Sequence, residues 1–134
     1  MVKGYQQNKD HQAALAALGK ELTRRARSSC ELCESSGVSL SAYEVPPAPK
    51  QPDLEHCVFI CESCLSQIER PKSIVPDTWR NLANTAWSEV APVQVMAIRM
   101  LRHLADSQPW AAEILDGLFP EEEIEERANA AQIA

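Results

Sequence analysis

The chain is poor in aromatic side chains, glycine and histidine: its 134 residues hold three Trp, two Tyr, two Phe, four Gly and three His. Aromatic residues are not interleaved with the basic ones, so the stacking platforms of a single-strand nucleic-acid binder are missing. His11, His56 and His103 stand in no motif with a Ser, Cys or carboxylate partner, which leaves no readable nucleophile and base pair and no open histidine metal site. Apolar runs are short. None approaches the roughly 20 residues of a membrane-spanning helix, and Met1 to Gln12 is polar without the apolar stretch of a secretory leader. The expectation is a soluble, cytoplasmic protein of one small domain or two very small ones, with no membrane partner.

Against that background two Cys-x-x-Cys pairs, Cys30/Cys33 and Cys61/Cys64, carry the chemistry. Two thiolates three positions apart in a tight turn face one point, and following backbone N–H groups spread the charge on the first sulfur. One pair supplies half a tetrahedron, and a hairpin that joins two pairs completes it. The predicted site is therefore a closed Zn²⁺ shell of Cys30, Cys33, Cys61 and Cys64, structural because no coordination position stays open. A thioredoxin-like redox pair would need one Cys-x-x-Cys beside a βαβ pattern, which this chain does not show. A reducing cytosol suits thiolates that must remain free for metal. Cys57 reads as a small buried core residue, and His56 is superfluous to a complete set of four.

Formal charge is −6, unevenly spread. Residues 1 to 29 carry six Lys/Arg against two acids, and the rest carries seven against seventeen. A first helix is predicted from about Asp10 to Arg27, with Leu15, Leu18 and Leu22 on one face. Lys20, Arg24, Arg25 and Arg27 gather at its end. They complement the helix dipole and the anionic thiolate site beyond, and Arg24, Arg25 and Arg27 are also the only candidate phosphate patch, one that the acidic remainder would oppose. A ribbon follows. Gly37 supplies a turn, Val38 to Val45 alternates as a half-buried strand, and Pro46, Pro47, Pro49 and Pro52 force an exposed loop over 46 to 55. Strand 57 to 60 returns to the second pair, and a short helix runs from Leu65 to Glu69.

Beyond Ser73 the pattern is helical. Asp77 is placed to cap a helix through about Trp87, and Pro92 to open the next. In that second helix Val93, Met96, Ala97, Met100, Leu101 and Leu104 form an apolar stripe, with Gln94, Arg99, Arg102 and Asp106 opposite. Trp79, Trp87 and Trp110 are expected to anchor these helices on the ribbon. A last helix spans about Pro109 to Leu118 with Gly117 as its cap, and Glu121 to Glu126 reads as a solvated or frayed end. The fold class is α+β: an N-terminal helix (1–28), a zinc-ribbon or treble-clef-like hairpin module (29–72), a helical segment packing on it (73–120) and an acidic terminal segment (121–134).

Several strings together resemble the PhnA-like bacterial proteins: Ala17-Leu18-Gly19-Lys20-Glu21-Leu22, Arg24-Arg25, Cys30-Glu31-Leu32-Cys33, Tyr43-Glu44-Val45-Pro46-Pro47, Cys61-Glu62-Ser63-Cys64-Leu65-Ser66-Gln67-Ile68 and Trp87-Ser88-Glu89-Val90-Ala91-Pro92-Val93-Gln94-Val95. The likeness covers most of residues 10 to 126. It implies a zinc-ribbon module with ligands at Cys30, Cys33, Cys61 and Cys64. It implies little about activity, because that family takes its name from association with alkylphosphonate utilisation genes and has no established biochemical role. Longer members continue into a small all-β, SH3-like domain, which this chain is expected to lack. Three functions follow as alternatives. A non-catalytic binding or scaffold module for a protein partner is favoured. A role in alkylphosphonate metabolism rests on the name, since a closed four-cysteine shell offers neither an open metal position nor a nucleophile. A degenerate HNH-like nucleic-acid-binding protein comes last, because Pro46 and Pro47 stand where the histidines of an HNH site belong and proline cannot accept a proton.

Overall fold

The structure, a computed structural model, describes residues 2–133, with side chains from residue 9 onward. Two helices open it, α1 (Val2–Ala17) and α2 (Gly19–Ala26), followed by strand β1 (Leu40–Glu44), strand β2 (Cys57–Cys61) and α3 (Glu62–Glu69). A 3-10 turn at Pro76–Trp79 leads to α4 (Leu82–Thr85), α5 (Ala91–Ala105), α6 (Pro109–Asp116) and α7 (Glu122–Asn129). This is the α+β arrangement predicted, with a two-stranded hairpin set among helices. No helix among the described residues is long and apolar enough to cross a membrane.

β1 and β2 pair antiparallel, Leu40 opposite Cys61 and Glu44 opposite Cys57. The register delivers Cys61 to the mouth of the hairpin beside the first Cys pair, while the proline-bearing connection spans the other end. Gly37, with φ of 71°, makes the predicted turn before β1. Two strands of five residues are not stable alone. β2 lies against α5, with Val58 and Ile60 fully buried.

Helix α5 is the centre of the molecule. The expected stripe is buried, and so are Val95, Ile98 and Arg99, so the helix is enclosed on nearly every side by β2, α4, α6 and α7. Apolar side chains of this size contribute about 1.5–3 kcal/mol each when buried, which makes α5 the principal hydrophobic asset of the fold. The four cysteines of the paired motifs belong to the same continuous core as α5.

Four expectations are corrected. The first helix breaks at Leu18, where Gly19 opens α2, and of its three leucines only Leu22 is buried, packing toward β2. Asp77 caps nothing: it sits inside the 3-10 turn and faces Arg80, and the single helix foreseen to Trp87 is two short turns shaped by tertiary hydrogen bonds. Trp79 is buried completely, but Trp87 is 57 % exposed and anchors nothing, while half-buried Trp110 lies under the Arg80 guanidinium, 4.6 Å from its ring centre. The acidic end is neither frayed nor fully solvated. Ile124 and Ala128, four residues apart, bury one face of α7 against α5, a pairing hidden by the charges between them.

Arg99 was expected on the polar side of α5 and is instead only 3 % exposed. Its Nε and Nη2 donate to the carbonyls of Ala128 (3.3 Å) and Arg127 (2.7 Å) at the C-terminal end of α7. A guanidinium there meets the negative end of the helix dipole, which compensates a charge without a carboxylate. Burial pulls its pKa below the ordinary arginine value.

Candidate metal centre

The first knuckle is built by backbone geometry. Glu34 N–H donates to Cys30 O (2.9 Å), Cys30 N–H to Ser35 O (2.9 Å), and Glu34 takes a positive φ of 67°, so the chain turns tightly enough for both sulfurs to face inward. The Cys33 N–H points at Cys30 Sγ at 3.5 Å. In the second knuckle Cys61 ends β2 and immediately precedes α3, while Cys64 lies in that helix's first turn. Thiolates at a helix N-terminus gain from its dipole and free N–H groups.

The fold brings all four predicted ligands together. The sulfurs of Cys30, Cys33, Cys61 and Cys64 lie within 4.8 Å of one another, and every one of these residues is buried. Cys30 Sγ is 3.8 Å from Cys64 Sγ, and Cys33 Sγ is 3.7 Å from Cys61 Sγ. A tetrahedral ion with metal–sulfur bonds of about 2.3 Å requires sulfurs about 3.8 Å apart along each edge. These separations are far too long for disulfides, whose S–S bond is about 2.05 Å, and all five cysteines are free. A divalent cation of thiophilic character therefore fits the donor set.

Electrostatics point the same way. The sulfur–sulfur hydrogen bond between Cys30 and Cys64, with backbone donors behind it, holds the Cys30 pKa well below the ordinary thiol value. The same bond to Cys30, and then burial, push Cys64 up, and burial pushes Cys61 up. A divalent cation at the centre would favour the thiolate form of all four sulfurs and offset the charge they bring into the buried cluster.

What fastens this cluster to the rest of the molecule was only partly readable. Arg25 of the basic string is committed: Nε and Nη2 form a fork on Glu31 Oε2 and Oε1, each 2.8 Å, while Nη1 donates to Leu54 O (2.8 Å) and Nη2 also to Cys57 O (2.7 Å). Glu31, inside the first knuckle, also accepts the Phe59 N–H at 2.7 Å. Arg25 thus clips α2, the knuckle and β2 together, and the candidate phosphate patch retains Arg24 and Arg27 as exposed members. On the opposite side Asn81 donates its amide to Cys33 O, and the Thr85 hydroxyl lies 3.3 Å from Leu32 O. Buried Gln67 of α3 accepts from Trp79 Nε1 and Val75 N, both at 2.8 Å. No periodicity marks these polar residues in the sequence, because their partners are main-chain atoms far along the chain. The Cys-Glu-Leu-Cys string holds the one available hint, an acid between two ligands.

Cys57 is the buried core residue expected, outside the cluster at the far end of β2. Burial, with Glu44 and Asp53 adding to it, raises its pKa from 9.0 to about 11, so it stays a neutral thiol. His56 is bound to Asp53 (2.7 Å) and His11 to Glu44 (2.5 Å), and neither joins the sulfurs.

Compared with family models, curated proteins and solved structures, the chain finds no match in any of the three. The fold and site define an α+β chain with a buried four-cysteine cluster.

Proposed function

We propose that this chain is a non-enzymatic binding or scaffold module whose knuckles are shaped by a structural Zn²⁺ on Cys30, Cys33, Cys61 and Cys64. The supporting observation is the pair of sulfur separations, 3.7 and 3.8 Å, in a buried cluster of four. A tetrahedral ion held by all four has no vacant position for substrate, so it acts on folding and not on chemistry. Thiolates of this kind persist in a reducing compartment, in keeping with a cytoplasmic location. The quoted motifs carry the resemblance to PhnA-like proteins, and with it the lesser reading of a part in alkylphosphonate metabolism. A protein partner is favoured over nucleic acid, because Arg25 is spent on Glu31 and the chain is acidic beyond residue 29.

Elemental analysis of protein purified without added metal tests this. One zinc per chain, released by a chelator with loss of ordered structure in residues 30–64, is the expected result. Metal well below one equivalent in folded protein, or a knuckle region that stays protected after stripping, defeats the reading. Nucleic acid is tested separately by titration at low and moderate salt. Binding that disappears in an Arg24→Ala, Arg27→Ala variant would restore the phosphate patch.

A further inference from the structure

Among the residues whose side chains are described, Trp87 and Phe119 are the two large aromatics left in solvent, 57 % and 87 % exposed, in a chain that has only seven aromatics. They line the same groove, of about 440 Å³, between the segment entering α5 and the α6–α7 connection. Glu55, Glu89, Glu121 and Glu123 line it too, and among the described residues no Lys, Arg or His does. All four carboxylates are exposed, and among the described residues none has an ion-pair partner. Arg127 donates to the main-chain carbonyl of Glu55 and forms no ion pair with the Glu55 carboxylate.

Two ordinary explanations account for part of this. Glu121 and Glu123 stand at the start of α7, where acids complement the helix dipole. Single exposed apolar residues are common on any surface. Neither explains why Glu55 and Glu89, from two other segments, converge on the same groove, nor why both exposed aromatics open into it. A groove with aromatic faces and unpaired carboxylates is complementary to arginine and lysine, whose cationic heads pair with acids or stack on rings while their aliphatic stems cover apolar surface.

Resting on the binding-module reading, we propose that this groove docks a basic, partly apolar peptide segment of a partner protein, with Trp87 and Phe119 as its anchors and the four glutamates as its charge contacts. Nucleic acid is opposed by the same carboxylates. A second copy of this chain is a poorer occupant: its basic end at Lys20, Arg24 and Arg27 would join a groove elsewhere on the neighbour, a head-to-tail contact that does not close unless a rotation makes a ring.

The test uses the full metal-loaded chain and a fluorescein-labelled octapeptide of alternating arginine and leucine, followed by anisotropy at low salt. Saturable binding is expected, weakened at least tenfold by Trp87→Ala or Phe119→Ala, neither of which alters net charge. Glu89→Gln with Glu121→Gln should weaken it and flatten its salt dependence, while Glu62→Gln with Glu69→Gln, outside the groove, should leave it unchanged. Zinc content and far-ultraviolet circular dichroism of each variant should equal those of the parent, which separates a failure of the groove from a failure of the metal centre. No saturable binding, equal affinity in Trp87→Ala, or equal weakening by the Glu62/Glu69 control would overturn the proposal. So would concentration-dependent self-association abolished by Trp87→Ala, which would make a second copy the occupant.

Discussion

The hairpin module and the α5 helix share one continuous core but are held in it by different forces. Around α5, stability comes from non-directional burial: Val93, Val95, Met96, Ile98, Met100, Leu101 and Leu104 are enclosed by helices on several sides. The ribbon has two five-residue strands and a few buried aliphatics, so its shape depends on directed contacts: four sulfurs about one point, the Arg25–Glu31 fork, and the Asn81 and Thr85 bonds to knuckle carbonyls. Burial tolerates small errors of position. A tetrahedron and a bidentate fork do not. The four-cysteine cluster therefore belongs to two bent turns whose shape lets the ribbon share the core of α5.

The most forceful way to break this comparison is to remove the metal. Structural zinc contributes of order 10 kcal/mol to small domains, comparable to the whole stability of a chain this size. Hydrogen exchange after chelation should lose protection at residues 30–33 and 57–64 while amides of Val95–Leu101 keep much of theirs. Equal loss in both regions would mean that they unfold as one unit. Next in size is Trp79→Ala, which empties a fully buried site and leaves the Gln67 side-chain oxygen with only the Val75 N–H of its two donors. It should cost about 3–5 kcal/mol in chemical denaturation, with zinc still bound. A value below about 1 kcal/mol would show that the two regions are less tightly joined there than the packing indicates.

Arg25→Ala should cost about 2–3 kcal/mol, because it leaves the buried Glu31 carboxylate with only the Phe59 N–H and removes the guanidinium from two carbonyls, whereas Arg24→Ala at an exposed position should stay within about 0.5 kcal/mol. Similar costs for the two arginines would put the clip in doubt. The smallest effect concerns pH. The folded Cys57 pKa lies above the ordinary thiol value, so the native state holds that proton more firmly than the unfolded chain does. Its contribution is complete below about pH 9 and is lost as pH rises toward about 11. Stability should decline over that window, with the decline reduced in Cys57→Ala, and Cys57 should resist thiol reagents at pH 8 in native protein. Rapid labelling there would mean that the far end of β2 opens readily.

Legibility followed the range of the interaction. The two Cys-x-x-Cys pairs, the strands on either side of the prolines and the stripe of α5 depend on spacing within a few residues, and each could be read directly. Trp87 and Trp79 are alike by composition, yet one is exposed and the other carries the join between ribbon and helices; only their surroundings distinguish them. Arg99 looked solvent-facing because a helix with one apolar stripe usually has a polar side opposite, and it is buried because α7 folds back and offers carbonyls to it. The acidic run concealed Ile124 and Ala128 for the same reason: the helix that receives them, α5, lies upstream with the whole of α6 between them.

Taken alone, the order of residues determined which atoms can bind a thiophilic cation, which segments extend or coil, and that one helix must be buried, since all of these follow from local stereochemistry and periodic polarity. Tertiary structure decided that the four sulfurs share one point, that Arg25 is a clip and not a free cation, and that Trp87 and Phe119 face the same acidic groove. Those outcomes depend on distances between residues remote in the chain, which no local pattern encodes and which are set only when β2, α5 and α7 pack together.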